Sequence, residues 1–188
     1  MKKWMLLLLV GLNAEASVDF TSLTYAGSGC RTQDSEENVK TTIGGGKLIL
    51  QFKELDLSSS HLPIDRANCS VRLTVQANPG YQVGIAHDEI SGAVRLPLNT
   101  VAALTSEVFF SGAKGSELAI EWKGKKSTKF RRLAGDTDDS VQWSACGRDS
   151  ILAINTAINY RRTDSDLNKP VVIVVAKQSV RYFVRQCQ

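Results

Sequence analysis

The sequence predicts an all-β fold, a single antiparallel β-sandwich stabilised by two disulfides, on three observations. Short segments of alternating apolar and polar residues are separated by turn residues, the period-two pattern of half-buried strands. One run, Val171-Val172-Ile173-Val174-Val175, is apolar at every position, as expected of a strand covered on both faces or central in a sandwich. Four cysteines, Cys30, Cys69, Cys146 and Cys187, follow a short export signal, and an even count in an exported chain reads as two disulfides.

The signal comes first in the chain. Lys2 and Lys3 form a positive start, residues 4–12 an apolar core, and Ala14-Glu15-Ala16 places small residues where a signal peptidase reads, so cleavage is expected between Ala16 and Ser17. The apolar run is about 9 residues long, short of the ~20 that a membrane-spanning helix needs, and no second such run follows. The mature protein is therefore expected to be soluble, secreted or periplasmic, with no membrane span. Residues 17–188 are expected to form one domain, since 172 residues suffice for one real core. They carry 21 basic and 18 acidic side chains, a net charge of +3. That balance is too mild to argue for nucleic acid or membrane binding.

Gly44-Gly45-Gly46 reads as a turn, because the Lys-Ser/Thr and following helix of a phosphate loop are missing. Leu48, Leu50 and Phe52 then alternate with Ile49, Gln51 and Lys53 as a first core strand. Val71, Leu73 and Val75 face one way and Ser70, Arg72, Thr74 and Gln76 the other, and Tyr81, Val83 and Ile85 repeat the pattern. Asn78-Pro79-Gly80 between them is a tight-turn signal, so a hairpin is expected there. Further strands are expected over residues 93–98, 106–111, 117–123, 151–160, 171–176 and 180–185, with Lys177-Gln178 as the turn between the last two. Short helices are expected only around 99–105 and, as an alternative to a strand, around 150–157.

Four cysteines allow three pairings, and the sequence leaves all of them open. Nearest-neighbour pairing, Cys30 with Cys69 and Cys146 with Cys187, is favoured; each bond would close about 40 residues, worth roughly 4 kcal/mol in the chain-entropy description. A zinc site built from all four lacks any C-x2-C pair. Trp143, three residues before Cys146, is placed to cover that disulfide.

A series of landmarks runs in one order along the chain: Gly29-Cys30, Arg66-Ala67-Asn68-Cys69, Pro79-Gly80-Tyr81, Gly92 ahead of Leu96, Phe110-Ser111-Gly112, Trp143-x-x-Cys146-Gly147 and Cys187. This series resembles the small secreted cysteine-containing proteins of fungi and bacteria catalogued as domain of unknown function 4360. The resemblance covers nearly all of the mature chain and implies secretion, a β-rich fold and two disulfides, but no activity. Arg31 after Cys30 and Ala145 before Cys146 stand where that pattern has proline, which bears on local loop geometry.

No nucleophile, acid/base pair, metal cluster or phosphate loop stands out. Lys123, Lys125, Lys126, Lys129, Arg131 and Arg132, followed by Asp136, Asp138 and Asp139, form the densest charge feature. It reads either as a basic finger for an anionic ligand or as a solvated hairpin whose basic arm the acidic turn neutralises. With Phe130 alone interleaved, nucleic acid is not the expected partner. Asp164-x-Asp166-x-Asn168 matches the first ligand positions of a calcium loop, but Lys169 replaces the required glycine and Val175 the final glutamate, so a polar turn is the better account.

Only His61 and His87 could serve as imidazole bases, His87 beside Asp88 and Glu89, His61 after Ser58-Ser59-Ser60. No G-x-S-x-G elbow accompanies them. A carboxylate pair such as Asp88 or Glu89 with Glu121 needs distances to test. The aromatics Tyr25, Tyr81, Trp122, Trp143, Tyr160 and Tyr182 could supply a carbohydrate platform, although a sandwich buries most such residues. Asn68-Cys69-Ser70 matches the glycosylation sequon, beside a cysteine expected to be bridged. The expectation is a non-catalytic binding or structural module at the cell envelope or outside the cell, without cofactor, its partner an envelope polysaccharide or another extracellular anion. An envelope-acting hydrolase and a calcium-assisted adhesion domain are the alternatives.

Overall fold

A computed structural model describes residues 18–31, 37–59, 62–134, 141–163 and 169–187. Twelve strands occur among them, and no helix. They are β1 (Val18–Ala26), β2 (Val39–Gly44), β3 (Lys47–Phe52), β4 (Asp56–Ser59), β5 (Ile64–Ala77) and β6 (Tyr81–Leu96). β7 (Thr100–Phe110), β8 (Ser116–Lys123), β9 (Lys126–Leu133), β10 (Gln142–Trp143), β11 (Ser150–Arg162) and β12 (Val171–Gln186) follow. All pairings are antiparallel. One sheet runs β1-β5-β11-β7-β8; the other runs β10-β6-β12-β3-β2, with β4 beside β12 and β9 beside β6. Apolar residues of both inner faces meet in one core that includes Val71, Leu73, Leu104, Ile154 and Ile158 from the first sheet and Leu48, Leu50, Val83, Ile85 and Ile173 from the second. The chain is thus an antiparallel β-sandwich with two disulfides.

Three local expectations are corrected, and one alternative is excluded. Residues 99–105 are not helical: β7 begins at Thr100, pairs with β11 and β8 on its two sides, and buries Ala102, Leu104, Ser106 and Val108 at every second position. The helical alternative at 150–157 likewise yields to β11, which is paired along its length with both β5 and β7. The turn at Asn78-Pro79-Gly80 forms, with the Tyr81 N–H donating to the Asn78 carbonyl at 3.0 Å and Gly80 at φ +81°, but it makes no hairpin. It carries the chain from one sheet to the other, because β5 already has β1 and β11 on its edges while β6 is claimed by β12, β9 and β10.

The third correction concerns the C-terminus. Val171–Gln186 is one strand paired with β6 throughout, and Lys177-Gln178 does not turn. The register shifts between Val175 and Lys177, so Ala176 is an extra residue, a β-bulge that moves the inward phase from Val171, Ile173 and Val175 to Gln178 and Val180. β6 carries a matching shift at Asp88, where the inward phase moves from Val83, Ile85 and His87 to Ile90 and Val94. A bulge and a turn both reverse alternation, which is why the sequence pattern admits either.

The β12 bulge aims a polar side chain into the core. Gln178, 1 % exposed, donates from Nε2 to Ser106 Oγ on β7 at 2.6 Å and accepts from Thr156 Oγ1 on β11 at 2.6 Å. Each buried polar atom of this triad thereby has a partner across the sandwich, avoiding the ~1–3 kcal/mol cost of an orphaned group.

Candidate functional site

The predicted basic segment is neither a finger nor a hairpin. β8 ends at Lys123 in one sheet and β9 starts at Lys126 in the other, so Gly124 and Lys125 bridge the edge of the sandwich. Its six cations are dispersed. Lys123 Nζ pairs with Glu121 at 2.7 Å, and that hydrogen bond raises the lysine above its ordinary value. Arg131 Nη2 donates to Glu89 at 2.7 Å, which raises the guanidinium and lowers the carboxyl. Lys126 and Arg132 are exposed along β9. Phe130 turns inward onto Trp122, with ring centres 5.0 Å apart, so no exposed aromatic strip accompanies the segment at this point.

Lys125 and Lys129 are brought to new neighbours. A hollow of about 450 Å³ at the end of β6 is lined by Arg95, Lys125 and Lys169 over Leu96, Pro97, Leu98 and Pro170. A second, of about 370 Å³, adjoins it on the outer face, where Lys129 and Arg95 flank Ala93, Ser127, Thr128 and Val172. Arg95 is common to both. Leu98 is 63 % exposed beside these cations, and among the described residues no acidic side chain lines either hollow. Arg95 was hidden from sequence reasoning as the polar residue of an ordinary alternating strand, and Lys169 as the residue that spoils a calcium loop.

The other candidates separate. His87 is 5 % exposed; its Nε2 lies 2.9 Å from the Ser116 carbonyl in the opposite sheet, and burial lowers its pKa below 6.5 despite backbone hydrogen bonds to Ser116 and Ser106. Asp88, next in sequence, faces the opposite way by strand alternation. Burial works to raise its carboxyl, but hydrogen bonds from Lys47 at 2.8 Å and Ser179 at 2.8 Å, with Arg181 nearby, hold it below the ordinary value. His87 and Asp88 therefore do not meet, and Glu121 faces solvent from the other sheet. Ser60, His61, Asp136, Asp138, Asp139, Asp164, Asp166 and Asn168 lie outside the described residues.

The aromatics are mostly spent on packing. Trp122 and Tyr160 are buried, Phe20 and Tyr182 pack edge to face at 5.0 Å, and the Tyr25 hydroxyl accepts from the Asn38 N–H at 3.2 Å. Trp143 lies against Gly84, with the Arg185 guanidinium 3.7 Å from its ring centre.

His87 makes an acid-sensitivity prediction. Its folded pKa is depressed, so below 6.5 the unfolded chain binds more protons and stability falls as pH drops towards the folded value. Chemical denaturation at stepped pH is expected to show that slope in the wild type and its loss in His87→Gln; an identical slope in both would remove the assignment.

The structure joins Cys30 to Cys69 and Cys146 to Cys187. Two bridges and no free cysteine place the protein in an oxidising compartment. Among the described residues no helix is long and apolar enough to cross a membrane. A protein of Arthroderma benhamiae described as an uncharacterized secreted protein is 22% identical over 180 residues, covering 90% of this chain and 72% of that protein. A solved structure, TmCBM61 in complex with beta-1,4-galactotriose, aligns over 93% of this chain and 90% of that chain at 8% identity and a TM-score of 0.28, a likeness too remote to bear on fold or site. The model of the family described as domain of unknown function (DUF4360) matches residues 16–187, across both disulfides and every strand, and the chain belongs to that family.

Proposed function

We propose that residues 17–188, released from their signal, form a secreted or periplasmic single-domain binding module without catalytic machinery. Its ligand is an anionic polymer, an acidic polysaccharide of the envelope or extracellular space, seated at the paired hollows around Arg95. The observation that carries this reading is the convergence of Arg95, Lys125, Lys129 and Lys169, from three separate segments, around an apolar floor. Like charges gathered on one surface, Arg95 beside Lys125 and Lys129, repel one another and are relieved by an anion. Leu98, Pro97 and Pro170 offer the C–H surface on which the apolar face of a sugar ring can rest. A carboxylated or sulfated sugar matches both halves of that surface.

Titration of the secreted protein with polygalacturonate and with heparin is expected to show binding that weakens as salt rises. The triple variant Arg95→Ala, Lys125→Ala, Lys129→Ala should bind about tenfold more weakly, given ~0.2–1 kcal/mol for each solvent-open charge pair. Equal binding by variant and wild type would overturn the site.

A further inference from the structure

The outer face of the other sheet carries a trough of different chemistry. It holds about 510 Å³ and is lined by Arg66, Asn68 and Ser70 on β5, Asn155 and Ala157 on β11, and Thr105, Glu107 and Glu117 on β7 and β8. Strand register explains its shape. Ala157 stands opposite Thr105 on one side and Asn68 on the other, and Thr105 opposite Ala119, so small side chains floor the middle of the sheet. One step along, Ser70, Asn155, Glu107 and Glu117 form a continuous row across four strands.

The two walls differ. β5 contributes an arginine, an amide and a hydroxyl, while β7 and β8 contribute two carboxylates set directly opposite each other. A directly opposed pair of like charges destabilises a sheet. Among the described residues neither the Glu107 nor the Glu117 carboxylate makes a side-chain hydrogen bond or ion pair, and the Glu107 side chain lies over Gly115. Ser70 Oγ donates to Asn155 Oδ1 at 2.7 Å, which fixes the amide and leaves its Nδ2 to donate elsewhere. The trough thus offers donors from Arg66, Asn68 and Asn155 and acceptors from Glu107, Glu117 and Thr105, over an alanine floor. β5 and β8 lie three strand spacings apart, about 14 Å, which leaves room for one extended chain between the side-chain walls.

We infer that this trough is a second binding site, for a neutral polyhydroxylated chain, an uncharged polysaccharide. Vicinal hydroxyls are donors and acceptors at once, so a sugar satisfies both walls where a purely anionic or purely cationic ligand would satisfy one and be repelled by the other. The site is independent of the cationic hollows, which open on the opposite sheet. A module with both sites would tie an acidic polymer to a neutral one.

The test is an amide-resolved NMR titration of the secreted protein with soluble hexasaccharides of β-1,4-glucan, β-1,4-xylan, β-1,3-glucan and α-1,4-glucan. At least one is expected to shift the backbone signals of Asn68, Thr105, Asn155 and Ala157. Ala157→Trp, which fills the floor, should weaken that hexasaccharide at least tenfold, and Asn155→Ala should weaken it severalfold. The triple variant Arg95→Ala, Lys125→Ala, Lys129→Ala should bind it unchanged, so failure of the anion reading leaves this one standing. No response to any of the four sugars, shifts confined to other residues, or undiminished binding by a folded Asn155→Ala protein would each overturn the inference.

Discussion

Gly92→Ala is expected to destabilise the protein by about 3 kcal/mol, at the upper end of overpacking costs. Gly92 sits in the middle of β6, opposite Val175 of β12 on one side and Phe130 of β9 on the other. A Cβ there would meet the backbone carbonyl of Val174 and come within 2.8 Å of the Phe130 ring. The carbonyl belongs to the central ladder and has no rotamer with which to yield, so the added methyl group is accommodated only by separating β6 from β12. That is the most extensive strand pairing in the molecule, and it contains the bulge that aims Gln178 inward. For a chain of this size the loss corresponds to a fall in Tm of roughly 6 to 12 °C, measurable by calorimetry. A variant that melts with the wild type would show that the ladder is looser than described.

Removal of the two disulfides is expected to have unequal effects. The bridges span 39 and 41 residues, so the chain-entropy contribution is about 4 kcal/mol for each. Cys30 and Cys69 are 0% and 1% exposed and pack within the core, whereas Cys146 is exposed beyond β10. Cys30→Ala with Cys69→Ala therefore loses the cross-link and leaves a void, adding about 1 kcal/mol or more to the loss. Cys146→Ala with Cys187→Ala loses only the cross-link. Urea midpoints of the two double variants decide the matter: the first is expected to be the lower, and the reverse ranking would contradict the core role of Cys30–Cys69.

Strand positions were legible because alternation is local. Leu48, Leu50 and Phe52, or Val71, Leu73 and Val75, declare their faces whatever lies beside them. Partners were not legible. Asn78-Pro79-Gly80 has the same turn chemistry whether the chain doubles back in one sheet or arches to the other. The reversal of phase near Lys177 suits a turn as well as a bulge, and only continuous pairing with β6 selects the bulge. Residues 99–105 contain Val101-Ala102-Ala103-Leu104, a run too short to separate helix from strand until neighbours occupy both sides.

The sites follow the same division. A basic segment was readable at 123–132, yet half of the surface it builds comes from Arg95 and Lys169, separated from it by 28 or more residues. The trough had one sequence signal, the alternation of Ala153, Asn155, Ala157 and Asn159 along β11, small and amide side chains on a face that long charged residues usually cover.

By itself the sequence determined the all-β class, the number of bridges, the oxidising compartment they imply and the inward face of most strands. These depend on residue chemistry and on a period of two, both of which are properties of short stretches of chain. Only the tertiary structure decided which strand joins which sheet, where the bulges fall, and which cations and polar groups share a surface. Strands are paired by backbone hydrogen bonds that are the same for every residue type, so the choice of partner rests on the joint burial of side chains far apart in the sequence.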